Sequence, residues 1–168
     1  MDDGGLVKMS TSPSCPADII KKFYKPLGSL NYKKATAYLD FFNNSVRSLF
    51  TITIKLMPKT NPFRTELKGS RRKASIAMTC NESVVSSVLG PYLVRFMRKI
   101  IDRNEEFFLN MDLKSIPELA DFHELTTTLK NLWKTLSTDE RVQFFEIFSD
   151  MLTAYLTSEQ LSREKKSK

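Results

Sequence analysis

This chain of 168 residues predicts a mainly α-helical single domain, a bundle of four or five helices with a small β-hairpin. Three observations lead there. Apolar residues recur at spacings of three and four from Ala35 to Leu49 and again from Leu119 to Leu136, which lines them along one side of a helix. A capping signature opens a long aromatic-rich segment near the C-terminus. The length is that of one domain, with about two thirds of the unfolded surface buried on folding.

Residues 1–30 carry Pro13, Pro16, Pro26 and three of the five glycines, a composition that predicts an extended arm. Within it, Ala17–Tyr24 can form a short helix that ends before Pro26, because proline disfavours helical geometry in the residue before it. The helical domain proper spans 31–162. Its first helix is marked by Ala35, Leu39, Phe42, Val46 and Leu49. From Thr51 the pattern switches to a period of two, with Ile52, Ile54 and Leu56 alternating with Thr51, Thr53 and Lys55. That predicts a strand over about 51–57, and Ala74–Thr79 is its expected partner over 74–79. Between them, residues 58–73 read as a polar insert with Pro58, Pro62 and Gly69.

Asn81 is the expected cap of a short helix through Leu89, and Gly90-Pro91 predicts a kink or a restart. A longer helix is expected next, with Leu93, Phe96, Met97, Ile100, Asn104, Phe107 and Phe108 on one face. Pro117, after Ser115 as a cap, opens an amphipathic helix with Leu119, Phe122, Leu125, Leu129, Leu132, Trp133 and Leu136. Ser137-Thr138-Asp139-Glu140 reads as a capping box for a last helix to about Gln160. Val142, Phe144, Phe145, Ile147, Phe148, Met151, Leu152, Tyr155 and Leu156 cover more than half of that helix's circumference. Residues 163–168 form a charged tail.

Charge is distributed unevenly. Residues 1–103 hold 18 Lys and Arg against 7 Asp and Glu, net +11, whereas residues 104–168 hold 8 against 12, net −4. A basic half and an acidic, aromatic half provide two kinds of contact surface on one molecule. The densest cations are Lys55, Lys59, Arg64, Lys68, Arg71, Arg72 and Lys73, opposed only by Glu66, with Phe63 among them as a stacking ring. Arg95, Arg98 and Lys99 share a second face at spacings of three and four. Together these ten are the candidates for binding nucleic acid or an acidic partner. Trp133, Phe144, Phe145, Phe148, Met151 and Tyr155 are the candidates for a protein interface, because a lone surface helix has no need of so much apolar area.

Catalytic chemistry finds little foothold. With His123 as the single histidine, a two-histidine metal site is excluded, and Cys15 and Cys80 lack ligand spacing. No two glycines fall at phosphate-cradle spacing. Glu105/Glu106 and Asp139/Glu140 are adjacent on helices and so point apart. No catalytic residue, metal, cofactor or small-molecule substrate is therefore expected. The longest charge-free run, Ser83–Val94, is short of the roughly 20 apolar residues that a membrane-spanning helix requires, and an acidic N-terminus argues against an export signal. The expected setting is intracellular, cytoplasm or nucleus, or within an assembled particle.

Trp133–Arg141, followed by Phe144, resembles the junction of the second and third helices in an HMG box, a minor-groove DNA-bending module, and that resemblance implies DNA contact. It covers only this short string, in a region of net negative charge, so it assigns no DNA-contacting residue. The function expected from the whole chain is non-enzymatic: an interaction or assembly component, a structural subunit of a larger complex or particle, a virion included. The alternative is a nucleic-acid-binding accessory protein that uses the basic insert and the basic helix face.

Overall fold

The structure, a computed structural model, describes residues 15–29, 34–112 and 116–167. Among them are eight α-helices and no strand: α1 (Pro16–Phe23), α2 (Ala35–Leu56), α3 (Phe63–Cys80), α4 (Val84–Arg95), α5 (Met97–Ile101), α6 (Glu105–Asn110), α7 (His123–Trp133) and α8 (Thr138–Ser167). Two 3-10 turns, Leu27–Ser29 and Pro117–Phe122, are also present among the described residues. The helical class is as the sequence predicts, but the helices number eight among the described residues rather than four or five. The long 93–108 segment is cut into three pieces and the N-terminal region adds another.

The hairpin does not form. Residues 51–57 are the last turns of α2 and its C-cap, and 74–79 lie inside α3. The alternation of Ile52, Thr53 and Ile54 was a false period: all three are buried, since α2 is covered by neighbours on nearly every side at this point. A helix buried all round loses its amphipathic signature, and burial outweighs the modest strand preference of β-branched residues. The Thr53 hydroxyl donates to the Leu49 carbonyl at 2.7 Å, so it stays satisfied inside the helix. The insert contracts for the same reason. Only Met57–Pro62 connects the two helices, while most of 58–73 belongs to α3, where Leu67 and Met78 supply the buried stripe.

α2 and α8 make the most extensive packing in the molecule, and α1, α3, α4, α5 and α7 pack around one or both of them. Phe42, Val46 and Phe50 from α2, and Phe144 and Ile147 from α8, lie at the centre with almost no exposure. The segment expected as an arm is docked from Cys15 onward. Ile20 and Tyr24 are in the core, Ser48 Oγ donates to the Phe23 carbonyl at 2.6 Å, and the Tyr24 hydroxyl and Leu27 N–H both donate to Asp150 Oδ2, at 2.5 and 3.1 Å. Burial, then the hydrogen bond and negative charge of Asp150, push the Tyr24 phenol far above its ordinary range. Residues 1–14 of the expected arm, and Ser115 as a cap, lie outside the described residues.

Gly90-Pro91 neither kinks the chain into two helices nor restarts it; α4 runs through both. Gly90 is needed for another reason. It lies against the Tyr155 ring of α8, and a β-carbon there would overlap that ring. The breaks come later, at Phe96 and at Asp102–Asn104, where Arg103 adopts φ 52°. Asn104, expected on a helix face, is instead the cap of α6, with Oδ1 accepting from Phe107 N–H at 3.0 Å. The second corner follows expectation: Ser137 N–H donates to Glu140 Oε1 at 2.7 Å and Glu140 N–H to Ser137 Oγ at 3.2 Å, a reciprocal capping box. From it α8 continues past Gln160 to Ser167, through most of the expected tail.

Candidate interaction surfaces and an apolar cavity

The basic residues occupy three places rather than one loop. Lys55 ends α2, and Lys59 lies in the short connection after it, both exposed. On α3, Lys68, Arg72 and Lys73 are exposed, whereas Arg64 and Arg71 are half-buried at the edge of the packed face. Arg71 Nη1 donates to Thr51 Oγ1 at 3.2 Å, tying α3 back to α2. α3 also carries Ile76, 55% exposed, one turn beyond Arg72. The third place is the α4–α5 break. Arg95 closes α4 while Arg98 and Lys99 begin the next segment, so the continuous helix face expected for them is interrupted at Phe96. Arg98 stays exposed, and Lys99 lies 5.2 Å over the Phe107 ring.

Apolar side chains are exposed around the same break. Ile101 is 61% exposed, with Leu109 and Val94 less so, on three consecutive helices; the exposed cations here are Arg95, Arg98 and, in the turn before α6, Arg103. On α8 the outward face passes through Glu146, Thr153, Leu156 and Gln160, all exposed. Exposed charges near Leu156 are Glu159 and Arg163, and those near Ile101 and Leu109 include Asp102 and Glu106.

The six protein-interface candidates are not a surface. Phe144, Phe145, Met151 and Trp133 are core residues, and Phe148 and Tyr155 are half-buried. The broad apolar coverage of α8 is explained by its central place: it meets α2 on one side and α4 and α5 on another. Four of these residues, Trp133, Phe145, Phe148 and Met151, line one wall of a cavity of about 190 Å³. Its other walls come from α4, α5, α6, the Pro117–Phe122 turn and α7. Packed rings form much of it, with Phe96 and Phe108 6.3 Å apart, Phe108 and Phe145 5.9 Å, and Trp133 and Phe145 5.8 Å.

Two charged side chains reach this cavity, Glu105 and Lys130. Glu105 Oε1 accepts from Trp133 Nε1 at 2.9 Å and pairs with Arg141 Nη1 at 3.1 Å, while Arg141 Nε donates to the Trp133 carbonyl. Its charge is therefore answered by Arg141. Lys130 Nζ donates to the Met111 carbonyl, a neutral acceptor. Sequence reasoning did not single out Glu105 or Lys130 as a pair, and no signal joined them, since they lie in separate helices, α6 and α7.

His123 opens α7, half-buried. Cys15 and Cys80 are exposed free thiols, with Cys15 Sγ 3.9 Å from Glu140 Oε2. Among the described residues no three His, Cys, Asp or Glu side chains gather as metal ligands, and no helix is long and apolar enough to cross a membrane. The string that resembles an HMG-box junction is the α7–α8 corner, where the Trp133 and Phe144 rings pack 5.8 Å apart inside the core. Comparison with protein-family models, with curated proteins and with solved structures finds no match for this chain.

Proposed function

We propose that the chain is a non-enzymatic assembly component, a structural subunit that associates with further copies of itself in a larger complex or particle. One observation carries this reading: large apolar side chains are exposed at two separate places, each beside charged residues of both signs. Val94 and Ile101 lie beside Arg95 and Arg98 and Leu109 beside Glu106, whereas Leu156 lies near the exposed Glu159 and Arg163. Apolar area gives such a contact its strength, and opposite charges steer encounter and set orientation. Two different faces meeting make a heterologous contact, which builds rings or open filaments rather than a closed pair. Assembly of this kind is intrinsic to the chain and calls for no catalytic group.

A second reading rests on α3, where Lys68, Arg72 and Lys73 are exposed within two turns. A helix edge of this kind suits phosphate contacts whose affinity falls steeply with salt.

One experiment separates the two. Sedimentation velocity of the full chain over a range of concentrations, at salt of about 50 and 500 mM, should show association that weakens as the screening length shortens. Arg98→Glu and Glu159→Lys should each dissociate the assembly, and a mixture of the two variants should restore it in part. A monomer at every concentration defeats the assembly reading. In a parallel titration of a labelled DNA duplex, tight binding at low salt that a Lys68, Arg72, Lys73 triple alanine variant loses would move the α3 reading to the front.

A further inference from the structure

The cavity between α4–α7 and α8 has walls that are almost wholly apolar. Native interiors leave few voids larger than a water molecule, and an apolar cavity of about 150 Å³ stays dry and admits a molecule such as benzene. At about 190 Å³ this one has room for an apolar body of roughly one ring. Water gains little there, because it needs two to four polar partners and the rings supply none.

Charge at the edge decides what kind of molecule would fit. Of the two charged groups that reach the cavity, Glu105 is neutralised by Arg141 and held by the Trp133 indole. Among the described residues, Lys130 Nζ donates to the Met111 carbonyl and pairs with no carboxylate. An ammonium beside an apolar hollow gains from an anion that brings its own apolar body, since charge-assisted hydrogen bonds are about twice as strong as neutral ones. Thr126, whose hydroxyl already donates to backbone carbonyls within α7, adds no second charge.

We propose that this cavity binds a small monocarboxylate whose ring or short alkyl body fills the space between Phe96, Phe108 and Phe145 and whose carboxylate meets Lys130 Nζ. The inference goes beyond self-assembly and stands independently of it.

Isothermal titration of the full chain with phenylacetate, toluene and phenethylamine tests it, because the three probes share a ring and differ in charge. Phenylacetate should bind most tightly and phenethylamine least. Lys130→Met, which keeps the length of the side chain and removes its charge, should weaken phenylacetate about tenfold and leave toluene unchanged. Contacts between the probe's ring protons and the Phe96 and Phe108 rings, read by nuclear Overhauser effects on the unaltered chain, should locate it without relying on any variant. No binding of phenylacetate at millimolar concentration overturns the proposal. So does a probe order in which toluene equals or exceeds phenylacetate, or a Lys130→Met variant that binds phenylacetate as the parent does.

Discussion

The α2–α8 pair and the α4–α6 segment are built from similar apolar residues and pack differently. α2 runs for 22 residues without a break and buries ten of them, whereas residues 84–110 are cut into three helices by Phe96 and by the Arg103 turn. In the first region Phe42, Phe50 and Phe144 have almost no exposure, and the space beside Tyr38, Phe42 and Tyr155 is smaller, about 100 Å³. In the second, Phe96, Phe107 and Phe108 stack edge to face on one another, and Phe96 and Phe108 border the hollow. Continuous helices present regular ridges that interdigitate, whereas short segments joined by turns point their rings in directions that no single neighbour can fill.

Truncation is the largest way to test that contrast. Phe42→Ala should cost about 3–5 kcal/mol, while Phe96→Ala, which enlarges space already empty, should cost less than half as much. Chemical denaturation of both variants checks it, and equal losses would mean that the two regions are packed alike. Gly90→Ala acts where the regions meet. The new methyl must displace the Tyr155 ring, so a loss of about 1–3 kcal/mol is expected from overpacking, and Tyr155→Leu in the same chain should recover part of it.

A smaller effect concerns the clasp of α1 on α8. Tyr24→Phe removes the hydroxyl that Asp150 accepts and should cost about 1.5 kcal/mol at neutral pH. Because the folded state holds the Tyr24 proton far above the ordinary value of 10.0, the unfolded state releases that proton first as pH rises. This contribution is complete below pH 10.0 and is lost above it. Denaturation at neutral and at alkaline pH should therefore show stability falling above about pH 10 in the parent, and falling less steeply in Tyr24→Phe. Parallel curves for the two proteins would show that Tyr24 is not the group responsible.

Much of the fold was legible because local chemistry wrote it. The helix over Ala17–Tyr24 forms as Pro16–Phe23 ahead of Pro26, the Ser137–Glu140 box closes reciprocally, and the Leu119–Leu136 stripe faces inward, with Leu129 and Leu132 half-buried and its first turn 3-10. Each of these depends on neighbours within a turn or two. The hairpin was misread because Ile52, Thr53 and Ile54 sit where several helices converge, and only those distant helices make every side of α2 an inside. Of the candidate sites, the exposed cations were legible as charges but not as faces. The aromatic set was found as a group, and what it does was not: it is core and cavity wall.

Alone, then, the sequence determined the α-helical class, the Ser137–Glu140 capping box, and the division of charge between the two halves of the chain, all properties of residues close together along the backbone. The tertiary structure decided which helices are central, where the chain breaks between Arg95 and Glu105, and that Glu105 and Lys130 share one apolar hollow. Those outcomes depend on groups far apart in the chain being brought within a few ångströms, and no local pattern encodes that distance.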